Sequence, residues 1–378
     1  MIDINSLEYK RIENLFSEIG VSQDKCFDIV SRYKDRHKYN LNKIYNNINE
    51  LRISLINYGF DDREIKETIQ KFYPIFSTVP KDFSAKLSDL EKRGYKKEDV
   101  IKMVTLTPSI ISLDNEVINS RFALFEKMGY SYQEIISMTR KVPLLITHSE
   151  EYIKNKFNEI KLLGLNDEEL KNIIRKFPNI ISFSLKTLCE KINGLIEVGF
   201  DQNRVLDIIK THPAVIGFTI DSVKEKIDEY ISLGFTKEET IKLLSETKGL
   251  FSMSNSYVKN RLDDIINCGY TKEEALKIMK GYPGISTISK ENTVEKLNFY
   301  NSIGLRNLAI VSPKQLMQSV KLTHARREFY MSSGIVINID NFRKLFLGEK
   351  QFIKMYNKTN KELISEYPLD EKKYTLNR

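Results

Sequence analysis

The sequence predicts an all-α fold, a helical-repeat solenoid (superhelix) of about seven to nine 35-residue units, each of two α-helices and a short proline-containing turn or 3₁₀ helix. Three observations carry that prediction. Gly59, Gly94, Gly129, Gly164, Gly199, Gly234, Gly269 and Gly304 follow one another at intervals of 35 with no insertion. Apolar side chains recur eleven, seven and four positions before the glycine, as in Ile153, Phe157 and Ile160 before Gly164. A proline recurs fourteen positions after it, at Pro108, Pro143, Pro178, Pro213 and Pro283, with Pro74 one place later. A fixed period of this length marks stacked supersecondary units, each too small to bury its apolar face alone.

The first helix of each unit carries one apolar stripe at helical spacing. Its expected start is a short oxygen-bearing cap twenty residues after the previous glycine: Asp114, Ser149, Ser184, Thr219, Ser254 and Ser289. The glycine ends it, because a left-handed residue at the C-terminal cap is tolerated there without steric penalty. The second helix opens on a capping box, Ser131 with Glu134, Asn166 with Glu169, Thr236 with Glu239 and Thr271 with Glu274. Tyr130, Leu165, Phe235 and Tyr270 precede those caps and are placed to pin the corner. The proline then stops the second helix through its missing N–H and its ring. Apolar pairs such as Ile110-Ile111 and Ile180-Ile181 follow, too short for another full helix and suited to a buried turn or 3₁₀ segment. One unit carries Lys248-Gly249 where the proline should be. Gly20, 39 positions before Gly59, marks a degenerate earlier unit. Residues 1–58 therefore read as an N-terminal repeat or cap, 59–304 as the regular array and 305–378 as a basic C-terminal capping segment.

This arrangement of helix, glycine corner, capped helix and Pro-x-apolar-apolar turn resembles the repeat of the mitochondrial transcription termination factor (mTERF) family. The segments Phe177-Pro178-Asn179-Ile180-Ile181-Ser182 and Leu163-Gly164-Leu165-Asn166-Asp167-Glu168-Glu169-Leu170 carry the resemblance most specifically, and it covers residues 59–304. It implies a superhelical array that binds organellar nucleic acid and acts in transcription, transcript processing or ribosome assembly. Double-stranded DNA is the partner the resemblance favours, with a role in transcription termination or regulation. RNA is the second choice, and a helical-repeat scaffold for other proteins is the alternative from a different class.

Of the 378 residues 41% are hydrophobic and 29% charged, enough to bury a sizeable core. Cys26, Cys189 and Cys268 are odd in number and far apart, which argues against a disulfide framework or a paired-thiolate zinc site and suits a reducing compartment. The four histidines are equally scattered, so no metal and no cofactor is expected. No phosphate-cradling glycine loop or catalytic spacing is present, and an enzyme is not expected. No apolar run is long enough to cross a bilayer, and a monomer is expected. The first residues lack a secretory or organellar presequence, which predicts a cytoplasmic location, or an organellar matrix after removal of a leader.

The net charge is +8, of which +7 falls on residues 305–378 and +1 on residues 1–304. If the array binds a polyanion, it must sort its charges onto one face. Eight positions before each glycine stands a basic residue in seven successive units: Lys86, Arg121, Lys156, Lys191, Lys226, Arg261 and Lys296. Two readings of this ladder are open. It follows a phosphate backbone, or its aliphatic stems cover the edge of the apolar stripe. A second row, Arg140, Arg175, Lys210 and Lys280, ends the second helices, interrupted by Thr105 and Ser245. It serves a ligand or the helix C-terminal dipole. Arg326 and Arg327, with Phe329 and Tyr330 beside them, offer either an electrostatic anchor able to stack a base or a solvated cap.

Overall fold

A computed structural model of the chain describes residues 2–37, 40–71 and 80–370. Among these residues there are α-helices and 3₁₀ turns and no β-strand. No described helix is long and apolar enough to cross a membrane. The chain divides into two compact units, Met1–Leu188 and Cys189–Arg378.

The first unit contains α1 (Leu7–Glu18), α2 (Gln23–His37), α3 (Leu41–Tyr58), α4 (Asp62–Lys71), α5 (Pro80–Lys92), α6 (Lys97–Leu106), α7 (Asn115–Lys127), α8 (Tyr132–Lys141), the single turn α9 (Leu144–Thr147), α10 (Glu150–Lys161) and α11 (Asp167–Lys176). First helices stack on first helices, α1 on α3 and α3 on α5, and second helices on second helices, α4 on α6, α6 on α8 and α8 on α11. This is the layering of a repeat array. α12 (Leu185–Val198) opens the next repeat at the division between the units.

The second unit continues with α13 (Gln202–Thr211), α14 (Ile220–Leu233), α15 (Lys237–Glu246), α16 (Asn255–Asn267), α17 (Lys272–Gly281), α18 (Lys290–Ser302), α19 (Arg306–Val311), α20 (Val320–Ser332), α21 (Glu349–Tyr356) and α22 (Asn360–Glu366). The same layering holds, α14 on α16 on α18 on α20, and α17 on α19.

The stripes predicted for the first helices are buried: Ile153, Phe157 and Ile160 in α10, and Val258, Leu262 and Ile265 in α16. Each such side chain contributes about 1.5–3 kcal/mol by leaving water. Tyr130, Leu165, Phe235 and Tyr270 are buried at their corners, as the pinning role requires. All four capping boxes form, with both the cap oxygen and the N3 carboxylate engaged. The first-helix caps are less uniform. Ser149, Thr219 and Ser289 accept from backbone N–H groups, and Ser184 accepts from Thr187 N. Asp114 and Ser254 make no such bond. Asp114 lies 4.0 Å from Lys86 Nζ, and Ser254 Oγ bonds Ser256 Oγ instead.

Pro108, Pro178, Pro213 and Pro283 each open a 3₁₀ turn of five residues, and Pro143 leads into α9. Lys248–Ser252 forms the same 3₁₀ turn without a proline, because Leu250 and Phe251 still bury at the position of the apolar pair. Burial rather than the ring holds that turn. Pro74 lies outside the described residues.

Candidate nucleic-acid interface

The seven ladder residues do fall into register, and their side chains turn inward. Lys86 Nζ donates to Leu113 O. Arg121 Nε donates to His148 O at 2.6 Å, Lys156 Nζ to Phe183 O at 3.5 Å, Lys191 Nζ to Phe218 O at 2.7 Å and Lys226 Nζ to Met253 O at 2.5 Å. Each acceptor lies 27 residues after its donor. It is the carbonyl of the residue closing the short turn, just before the cap of the next first helix. That carbonyl has left one helix and not entered the next, so it needs a donor from elsewhere. The cation of the preceding repeat supplies one across the seam.

The register rule also accounts for the departures. α19 has six residues where α8, α11, α13, α15 and α17 have ten, and Lys296 Nζ reaches Gln318 O, 22 residues on, at 2.7 Å. Arg261 binds Asp264 at 2.8 Å instead, both buried, while the Tyr257 hydroxyl donates to Ile288 O, the carbonyl 27 residues after Arg261. Gly334, with φ +77°, follows Gly304 by 30 positions rather than 35, and eight positions before it stands Arg326. Arg326 is therefore an eighth rung. Its guanidinium donates to Leu345 O at 2.9 Å, Leu347 O at 2.6 Å and Asn360 Oδ1 at 2.8 Å, and lies 4.7 Å from the centre of the Phe352 ring. The fixed 35-residue period hid this unit, and the signal that finds it is the basic residue eight before Gly334.

These placements correct the phosphate reading at the buried rungs. Lys226 is 7% exposed, Arg261 4% and Arg326 1%, so none can present its charge to a phosphate without leaving its bonds. Lys86, Arg121, Lys156, Lys191 and Lys296 are half-buried with donors already given to carbonyls. Burial lowers the pKa of Lys226 and of Lys296, as expected of cations taken out of water. Phe329 and Tyr330 pack against Tyr356 and Phe352 and form no open stacking platform. Arg327 pairs with Glu328 at 2.6 Å. Replacing Lys226 by Met, which keeps the stem and removes the donors, should lower stability by about 2 kcal/mol in urea unfolding, because the Met253 carbonyl loses its donor and that of Leu250 keeps only the Met253 N–H at 3.3 Å. An unchanged midpoint would return Lys226 to a solvent-facing role.

The second row is more open. Arg140 and Arg175 are 44% and 45% exposed. Arg140 lies 3.5 Å from Asp99, Arg175 3.1 Å from Glu134 and Lys280 2.7 Å from Glu239, each partner being 41 residues earlier on the preceding second helix. Lys210 is half-buried at the end of α13. Glu134 and Glu239 are also the N3 carboxylates of capping boxes, so one group closes its own helix and pairs with the next repeat. Exposed pairs of this kind contribute at most about 1 kcal/mol and exchange readily for another anion.

Arg306 continues the theme by pairing with Glu274 at 2.6 Å and holding its carboxyl at about 2, aided by the Thr271 backbone N–H. A carboxyl depressed from its ordinary 4.5 contributes stability that is fully present above that value and lost as pH falls towards 2. A carboxyl-detected NMR titration should find the Glu274 midpoint near 2, and Arg306→Ala should raise it. A midpoint unmoved by that change would show that Arg306 does not hold the carboxylate.

A profile of the mTERF family matches residues 5–160 and, in an overlapping match, residues 137–232. No curated protein gives a significant match.

Proposed function

The chain belongs to the mTERF family, and on that ground we propose that it binds nucleic acid, double-stranded DNA first, and acts in transcription termination or its regulation by obstructing or guiding a polymerase. The family match over more than half the chain is the observation that carries this reading. The charge is consistent with it: the net +8 remains, and Arg343, Lys350, Lys354 and Lys361 stand exposed in the C-terminal segment. Phosphate is met by these exposed cations and by the exchangeable second row, Arg140, Arg175, Lys210 and Lys280, while the inward ladder keeps the repeats in register.

Titration of fluorescent duplex DNA, duplex RNA and single strands at several salt concentrations tests this. The expected result is tightest binding to duplex DNA, with affinity falling linearly in log salt by about 0.9 per phosphate contact. Preference for RNA would move the role to the transcript. Absence of binding at low salt to all of them would overturn the reading.

A further inference from the structure

The row of ion pairs between successive second helices is interrupted at Ser245, and there both members of the pair change together. In the second unit, the position five after the glycine is Glu239 or Glu274 in the later repeats, but Arg204 after Gly199. The residue 41 positions on, where Lys280 answers Glu239, is Ser245. A cation has replaced the carboxylate, and the cation that would have faced it has been replaced by a short hydroxyl. Thr105 likewise stands 41 after Glu64, but there no extra positive charge is introduced. At Arg204 the change leaves a surplus cation beside an empty volume.

The volume is a groove of about 440 Å³ lined by Arg204, Lys237, Lys242, Ser245 and Ile241, with Gly199 at its edge. Arg204, Lys237 and Lys242 are all exposed, and no described residue forms an ion pair with any of them. The acidic residues of the wall are Asp201, whose Oδ1 already accepts the backbone N–H groups of Asn203 and Arg204 at 3.1 and 3.2 Å, and Glu238. The groove therefore keeps a net charge of +1. Ser245 is buried with its hydroxyl donating to Ile241 O at 2.7 Å, so the opening is maintained by a packed residue rather than by a mobile one. Three unpaired cations around one opening repel one another, and an anion seated between them turns that repulsion into attraction.

We propose that Arg204, Lys237 and Lys242 form a phosphate-binding groove on the second unit, which receives a backbone phosphate of the bound nucleic acid. The proposal rests on the nucleic-acid reading for the source of the phosphate, and on the groove alone for its chemistry. Arg204 offers a planar fork suited to two phosphate oxygens, and the two lysines lining the same groove act as point charges. Ile241 gives an apolar wall against which a sugar can rest.

Two variants test it in the full-length protein. Arg204→Gln/Lys237→Gln/Lys242→Gln removes the three charges. Arg204→Glu/Ser245→Arg rebuilds the ion pair that the other repeats carry and fills the groove. With folding verified by circular dichroism melting, both should bind a fluorescent DNA duplex about tenfold or more weakly at 0.1 M salt. The triple variant should also show a salt slope shallower by about 0.9 for each phosphate it no longer neutralises. Parent-like affinity and slope in folded variants would overturn the groove while leaving the nucleic-acid reading intact. If the parent binds no nucleic acid, that reading fails, and melting in inorganic phosphate decides the groove by itself. A phosphate-dependent rise in Tm that is present in the parent and absent from the triple variant retains it as a site for a free phosphate. An equal response in both overturns it.

Discussion

Replacing Arg326 by Met is expected to cost about 3 kcal/mol or more and to loosen the last two helices, the largest single effect anticipated in this protein. The guanidinium satisfies the carbonyls of Leu345 and Leu347 and the amide oxygen of Asn360, tying α20 to the turn at 342–346 and to the start of α22. Methionine fills much of the volume and removes a buried charge, which offsets part of the loss. Leu345 O keeps the Gln318 Nε2 donor at 3.0 Å, but Leu347 O and Asn360 Oδ1 would be left without theirs, each at about 1–3 kcal/mol where water cannot reach. Lysine should not rescue the variant, because one ammonium on a flexible stem cannot occupy the three positions of a planar fork. Urea unfolding gives the magnitude, and limited proteolysis gives the place, with new cleavage between residues 345 and 366. Parent-like stability together with an intact C-terminal segment would show that Arg326 is held by its neighbours and does not hold them.

Gly199→Val should destabilise by about 3 kcal/mol, and Gly164→Ala by only about 1 kcal/mol. Both glycines have positive φ, +122° and +85°, where a Cβ is strained. They differ in what the new atom meets. At Gly199 an added Cβ would lie 2.8 Å from Ile241 Cδ1, and valine adds two methyls to that contact. At Gly164 nothing lies within 4 Å. Gly164→Val, which puts the same side chain where nothing lies within 4 Å, separates backbone strain from crowding when set beside Gly199→Val. Equal losses would mean that Ile241 moves aside freely.

The register of the repeats was legible in the sequence because the devices that set it are local. A left-handed glycine, a capping box four residues long and a proline at a helix end each act within one turn of chain, so Gly129, Ser131 with Glu134, and Pro143 can be read without knowing what packs on them. The apolar stripes were legible for a similar reason, since helical spacing alone places Ile153, Phe157 and Ile160 on one side. Gly334 escaped because the unit before it is five residues short.

The basic ladder was visible as a pattern and its direction was not. Position eight before the glycine sits at the border between the buried stripe and solvent, and a long side chain there can turn either way. The choice is made by an unpaired carbonyl 27 residues later, such as Phe218 O for Lys191, which comes within reach only when one repeat stacks on the next. The pairing of Arg140 with Asp99 and of Arg175 with Glu134 spans 41 residues and is set by the same stacking. Local chain chemistry thus set the repeat, its helices, its corners and the family to which they belong. Stacking alone chose which charges face inward, because a hydrogen bond to a carbonyl left bare at a seam outweighs the hydration of a cation whose stem is already buried.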